Sequence, residues 1–137
     1  IQHYEARPAT AQEADTLKIT EGTLVVHIER TRFADNEPIA VLTNLIPADI
    51  APTMQELESA SLYDLMRERG VTLASARQII GARSATTKEA KLLSEHRGAA
   101  LLTSQRTTYD PSGRIVECGN HIYRASRYSF EASLFAQ

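Results

Sequence analysis

Residues 9–46 read ATAQEADTLKITEGTLVVHIERTRFADNEPIAVLTNLI, and residues 85–122 read ATTKEAKLLSEHRGAALLTSQRTTYDPSGRIVECGNHI. The two stretches align at an offset of 76. The identities are Ala9/Ala85, Thr10/Thr86, Glu13/Glu89, Ala14/Ala90, Leu17/Leu93, Gly22/Gly98, Arg30/Arg106, Thr31/Thr107, Asn44/Asn120 and Ile46/Ile122. Self-similarity of this kind marks one structural unit used twice. Thr10-x-x-Glu13 and Thr86-x-x-Glu89 each spell a capping box, in which hydroxyl and carboxylate satisfy the free amides of a helix start. Short helices are therefore predicted over 11–18 and 87–95, with Gly22 and Gly98 in the turns that leave them.

Each glycine is followed by a strand, a polar turn and a returning strand. The first hairpin is predicted over 23–33 and 39–46, turning at Ala34-Asp35-Asn36-Glu37. The second is predicted over 99–109 and 114–123, turning at Asp110-Pro111-Ser112-Gly113. Between the units lie a helix over 61–69, stopped at Gly70, and a strand over 71–83; residues 3–6 suit an edge strand. The expected fold is α+β, an antiparallel sheet of about six strands with helices on one side.

Working outward, 137 residues form one domain with room for a core. Hydrophobic residues at 42% and charged residues at 23% are globular values and argue against disorder. A formal charge of −2 argues against a chain that itself coats nucleic acid, which needs a clustered basic excess. No apolar run approaches the roughly 18 residues of a membrane span, and the opening IQHYEARPAT lacks a signal-peptide pattern. A single cysteine, Cys118, suits a reducing cytoplasm. Ile1 stands in mid-pattern, as expected of a piece of a longer protein.

The candidate chemistry lies on the strands. Leu24, Val26, Ile28, Arg30 and Arg32 share one face of the first long strand. Two arginines continuing an apolar face would either converge on an anion, held by planar charged forks, or leave the core for solvent. Ser61 opens the Ser61-Leu62-Tyr63 helix as an ordinary N-cap or as part of an anion site. Glu117 is predicted to share its face with Ile115, Gly119, His121 and Tyr123. It would accept hydrogen bonds from a ligand or pair with Arg30 or Arg106. Cys118, with Val116 and Ile122 on the other face, reads as core. His3, His27, His96 and His121 have no metal-site spacing, and neither a nucleophile elbow nor a phosphate loop is present, so no metal, cofactor or catalytic residue is expected. Residues 53–70 faintly suggest helix-turn-helix, but Arg67 and Arg69 among Asp64 and Glu68 are too few base donors for a reading helix.

These residues fall in the order of a known pattern. Arg7-Pro8-Ala9 precedes Leu17-x-Ile19-x-Glu21-Gly22, then Glu29-Arg30-Thr31-Arg32-Phe33-x-Asp35, Pro38, Ile46-Pro47 and Ser61-Leu62-Tyr63. Val116-Glu117-Cys118 and Tyr123-Arg124-x-x-Arg127-Tyr128-x-Phe130 follow. Nearly end to end, the chain resembles the UTRA domain, the effector-binding half of HutC-type regulators in the GntR family. The resemblance implies a chorismate-lyase-like fold turned sensor, a cytoplasmic homodimer that binds a small anionic effector. DNA would be contacted only through a separate winged helix-turn-helix domain that this chain lacks. It further implies that Arg30 and Arg32 grip a ligand phosphate, that Ser61 and Tyr63 stand beside it, and that Glu117 and Tyr123 face a sugar. Leu42 departs from the sugar-phosphate sensors, many of which carry a glutamate there. The alternative from another class is a chorismate-lyase-like enzyme acting on a dianion.

Overall fold

The two repeat units lie side by side in one six-stranded sheet. The computed structural model describes residues 2–129, 131 and 133, so Phe130, the last residue of the aromatic motif above, lies outside the described residues. The strands are β1 (His3–Pro8), β2 (Leu24–Ala34), β3 (Glu37–Pro47), β4 (Ser75–Ser84), β5 (Ala100–Tyr109) and β6 (Ile115–Arg124). Their order across the sheet is β1-β2-β3-β6-β5-β4, every pair antiparallel. The helices are α1 (Ala11–Leu17), α2 (Met54–Leu57), α3 (Leu62–Glu68) and α4 (Thr87–Leu92). The α+β class and the six strands are as predicted.

The repeat is a local device as well as a global one. Thr10 and Thr86 close complete capping boxes with Glu13 and Glu89. Lys18 and Ser94, equivalent by the repeat, both take positive φ where the helices end. In each unit an arginine from the preceding strand also grips the capping glutamate: Arg7 with Glu13 at 2.8 Å and Arg83 with Glu89 at 2.6 Å. The Arg83 hydrogen bonds, followed by the Thr86 amide, pull the Glu89 carboxyl down to about 2 from its ordinary 4.5. A folded carboxylate that resists protonation stabilises the fold above its ordinary pKa and loses that contribution as pH falls. Acid titration should therefore weaken the domain progressively from about pH 4.5 towards pH 2, and Thr86→Ala should cost about 1 kcal/mol at neutral pH. Urea unfolding at stepped pH checks both.

Hairpin turns set the register between the units. The first hairpin turns on two residues, Asp35 and Asn36, both at positive φ, as a tight two-residue connection requires. The second carries Pro111, Ser112 and Gly113, one residue more, with Asp110 Oδ1 accepting from the Ser112 and Arg114 amides. β2 and β5 therefore correspond at the offset of 76, whereas β3 and β6 correspond at one residue more. Thr43 faces Asn120 across the middle of the sheet, with Leu42 opposite His121 and Asn44 opposite Gly119. The sequence match of Asn44 to Asn120 thus joins residues on opposite faces.

Three further expectations are corrected. The helices occupy both sides, not one. Leu57, Leu62, Leu65 and Met66 of α2 and α3 pack on Val26, Ile28, Ile46 and Val116. On the reverse face, α1 covers Val25, Leu45, Ile115 and Cys118, while α4 covers Val41 and Leu101. The physical reason is the near-continuous apolar character of the central strands, which offers both faces for burial. Second, a register shift between Thr108 and Tyr109 interrupts β6. It turns Val116 to the side of Glu117 and Ile115 to that of Cys118, reversing the predicted assignments. Third, β4 begins at Ser75 and not at residue 71. Residues 53–70 form α2 and α3, whose Leu57, Leu62, Leu65 and Met66 are buried on the sheet, which leaves no reading helix among the described residues.

Candidate functional site

α2 and α3 cover only part of their face, and the uncovered remainder is a cavity of about 280 Å³. Its floor comes from five strands: Arg30 and Arg32 of β2, Leu42 and Asn44 of β3, His121 and Tyr123 of β6, Ser104 and Arg106 of β5, and Gln78 of β4. Ser61, Leu62 and Tyr63 at the start of α3 form the rim. Of the six candidate ligand residues, Arg30, Arg32, Ser61, Tyr63 and Tyr123 line this one cavity. Both arginines reach this cavity, Arg30 half-buried and Arg32 exposed.

Glu117 does not line the cavity. It is fully buried beneath it, and it pairs with neither Arg30 nor Arg106. Its Oε1 accepts from Asn44 Nδ2 at 2.7 Å; its Oε2 accepts from the Thr108 hydroxyl at 2.8 Å and the Tyr63 hydroxyl at 3.1 Å. Asn44, 2% exposed, accepts in turn from Arg30 Nη2 at 3.2 Å. The carboxylate thus positions Arg30 and Tyr63 from behind. Gly119 makes room for this network, since a Cβ there would stand 2.9 Å from Glu117 Oε1 and 3.0 Å from His121 Nε2.

Arg106 was not singled out for the site, although the repeat pairs it with Arg30. The structure gives that match its meaning: both arginines come from second-position strands of their units and arrive on the same face. The Arg106 guanidinium carbon lies 5.1 Å from the centre of the Tyr63 ring, a cation–π contact. Asn44, Gln78, Ser104 and His121 were also missed as cavity residues. Strand alternation from Leu42 and Glu117 would have found Asn44 and His121; Gln78 and Ser104 follow only from strand order.

The three guanidiniums give the cavity its electrostatic character. Burial, and then the neighbouring Arg32 charge, lower the Arg30 pKa, but a guanidinium remains charged throughout the physiological range. Burial, reinforced by the charges of Arg30, Arg32 and Arg106, depresses His121 to about 4. Tyr63 is raised by burial and then by Glu117, and Tyr123 by burial and then by Tyr128, which keeps both phenols neutral. Tyr128 stacks on Tyr123 with ring centroids 4.3 Å apart. Ser61 Oγ accepts from the Asp64 amide at 3.3 Å as an N-cap, and α3 has only seven residues, so the anion-facing charge comes from the strands. Cys118 packs under α1 with its thiol raised by burial, the setting of a core residue. Among the described residues no group of three or more His, Cys, Asp or Glu side chains is placed to hold a metal ion, and no helix is long and apolar enough to cross a membrane.

The family model for the UTRA domain matches residues 1–129. This chain belongs to the UTRA domain family. Among its relatives is the HTH-type transcriptional repressor NagR of Bacillus subtilis, 31% identical over 129 residues, an alignment covering 93% of this chain and 53% of NagR. A transcriptional regulator from Streptomyces coelicolor has a similar crystal structure, with TM-score 0.92 and 48% identity over 98% of this chain and 91% of that one. A GntR-family regulator from Enterococcus faecalis shares the fold at TM-score 0.88 and 24% identity, covering 97% of each chain. The UTRA chain described here spans about half the length of the curated relatives it matches.

Proposed function

We propose that this UTRA domain is the effector-sensing part of a bacterial transcriptional regulator of the GntR family, HutC type, and that its effector is a small anionic metabolite. The observation that carries the reading is the convergence of Arg30, Arg32 and Arg106 on one cavity. No Asp or Glu is among the residues that line it, and Glu117 is buried below and turned towards neutral donors. Arg30 and Arg32 hold the anion, Ser61 and Tyr63 border it, and Tyr123 packs against the rest of the effector. Glu117 acts one layer behind, as a positioning residue. Leu42 stands opposite Arg30 in the β2–β3 register, so no carboxylate from that strand neutralises the guanidinium.

On this reading the domain pairs as a cytoplasmic homodimer, since regulators of two-fold operators mirror that symmetry. A separate winged helix-turn-helix domain contacts DNA, and effector occupancy alters its hold. The relatives are named as regulators and repressors, which supports sensing and gives the lyase reading nothing. Thermal denaturation against a panel of phosphorylated and carboxylated metabolites tests the proposal. An effector at 100-fold excess over its Kd should add about 2.7 kcal/mol, while its uncharged counterpart should add nothing. A panel in which neutral compounds stabilise and anions do not would refute it.

A further inference from the structure

Resting on the anion reading above, we propose that His121 is a ligand-contacting residue that takes up a proton when an anion fills the arginine cavity and so becomes an additional donor to it. His121 lies near the centre of the sheet, opposite Leu42 of β3 and Ser104 of β5, and lines the cavity. Its Nδ1 is 3.3 Å from the Tyr123 hydroxyl, but its Nε2 is buried with no hydrogen-bond partner among the described residues. A buried ring nitrogen without a partner is costly to keep. An apolar side chain in its place would fill the volume without that cost, so the polar atom points to a partner that arrives with the ligand.

The surroundings explain why the proton is absent until then. Arg30 and Arg32 from β2 and Arg106 from β5 face the imidazole; Glu117 and Tyr123 flank it on β6, and Tyr63 faces the cavity from α3. Burial and the three guanidiniums hold the imidazole pKa down at about 4. A bound anion offsets part of that positive field, and an opposite charge nearby raises a histidine pKa. The complex then binds more protons than the free domain. By linkage, anion affinity rises as pH falls from above the bound-state pKa towards the free-state one. His121 in this way favours effectors of high negative charge, because only they offset the field that keeps it neutral.

Sulfate is the appropriate probe, because its charge is constant over the range in which histidine titrates. The His121 ring would be followed by NMR in the 137-residue chain with and without saturating sulfate, assigned by comparison with His121→Gln. The expected result is a shift from about 4 towards the ordinary value near 6.5, with sulfate Kd tightening roughly tenfold between about pH 7 and about pH 5. His121→Gln should flatten that profile, and a profile that survives the substitution would count against His121 as its source. Sulfate that perturbs Arg30 and Arg32 yet leaves the His121 titration unmoved would overturn the inference alone. Absence of any sulfate binding, with Arg30 and Arg32 signals unchanged, would remove the anion site and this inference together.

Discussion

Arg30→Ala is expected to weaken binding of the anionic effector by about a hundredfold, and Arg32→Ala by about tenfold, without unfolding the domain. Charge-assisted hydrogen bonds are worth about 1.5–3 kcal/mol, which spans that range of affinity. Arg30 takes the larger value because it is half-buried and held by Asn44, whereas Arg32 is exposed and more screened. The Arg30 Nε is buried and has no hydrogen-bond partner among the described residues. Arg30→Lys should recover only part of the loss, because an ammonium keeps the charge but not the planar fork. The fold should survive, since among the described residues Arg30 makes one side-chain hydrogen bond and its strand neighbours Val26 and Ile28 supply the packing. Calorimetric titration of each variant, with circular dichroism as the folding control, is the measurement. Wild-type affinity in both alanine variants would mean that the cavity is a solvent-filled notch with charged walls.

Glu117→Ala should be the most destabilising single change at the site, by about 3–5 kcal/mol, because it leaves several buried neutral donors unsatisfied, each at a cost of about 1–3 kcal/mol. Three donors lose their acceptor: Asn44 Nδ2, the Thr108 hydroxyl and the Tyr63 hydroxyl. A void opens as well, in a region where Val116 and Met66 are already almost completely buried. Against a usual total of about 5–15 kcal/mol, such a loss places the domain near its unfolding threshold. Glu117→Gln keeps the volume and should cost less, about 1–3 kcal/mol, since its amide presents a donor to groups that also donate. Effector affinity should fall in Glu117→Gln too, through the loosened Asn44 and Arg30, although no atom of Glu117 touches the cavity. Urea midpoints separate the outcomes: an unchanged midpoint in Glu117→Ala would show that water replaces the carboxylate and that the network is not structural.

Most of the fold was legible from the chain, and the misses share a cause. The capping boxes at Thr10 and Thr86, the turns at Asp35 and Gly113, and the face shared by Arg30 and Arg32 all depend on residues within four positions of one another. The same local motif at Thr53-x-x-Glu56 caps α2, complete with its reciprocal hydrogen bonds, and it was readable although not read. The site was legible to the extent that its residues lie on strands with clear alternation: Arg30, Arg32 and Tyr123 arrived where the pattern put them. Glu117 reached the right face, where it is a buried acceptor and not part of the cavity lining. Alternation says which way a side chain leaves the strand, and says nothing of how much protein lies above it.

The sequence by itself determined the repeat, the helix starts, the hairpins and the facing of each arginine, because capping, turn geometry and the two-residue strand period are short-range physics. Only the tertiary structure decided that Arg106 joins Arg30, that His121 lies among three guanidiniums, and that Asn44 connects Arg30 to Glu117. Those contacts span between 14 and 73 residues where hydrogen bonds make them, and they depend on strand order and on a one-residue difference between two turns. A single added residue in a turn exchanges the faces of everything beyond it, so Asn120, the sequence partner of Asn44, lies on the reverse of the sheet.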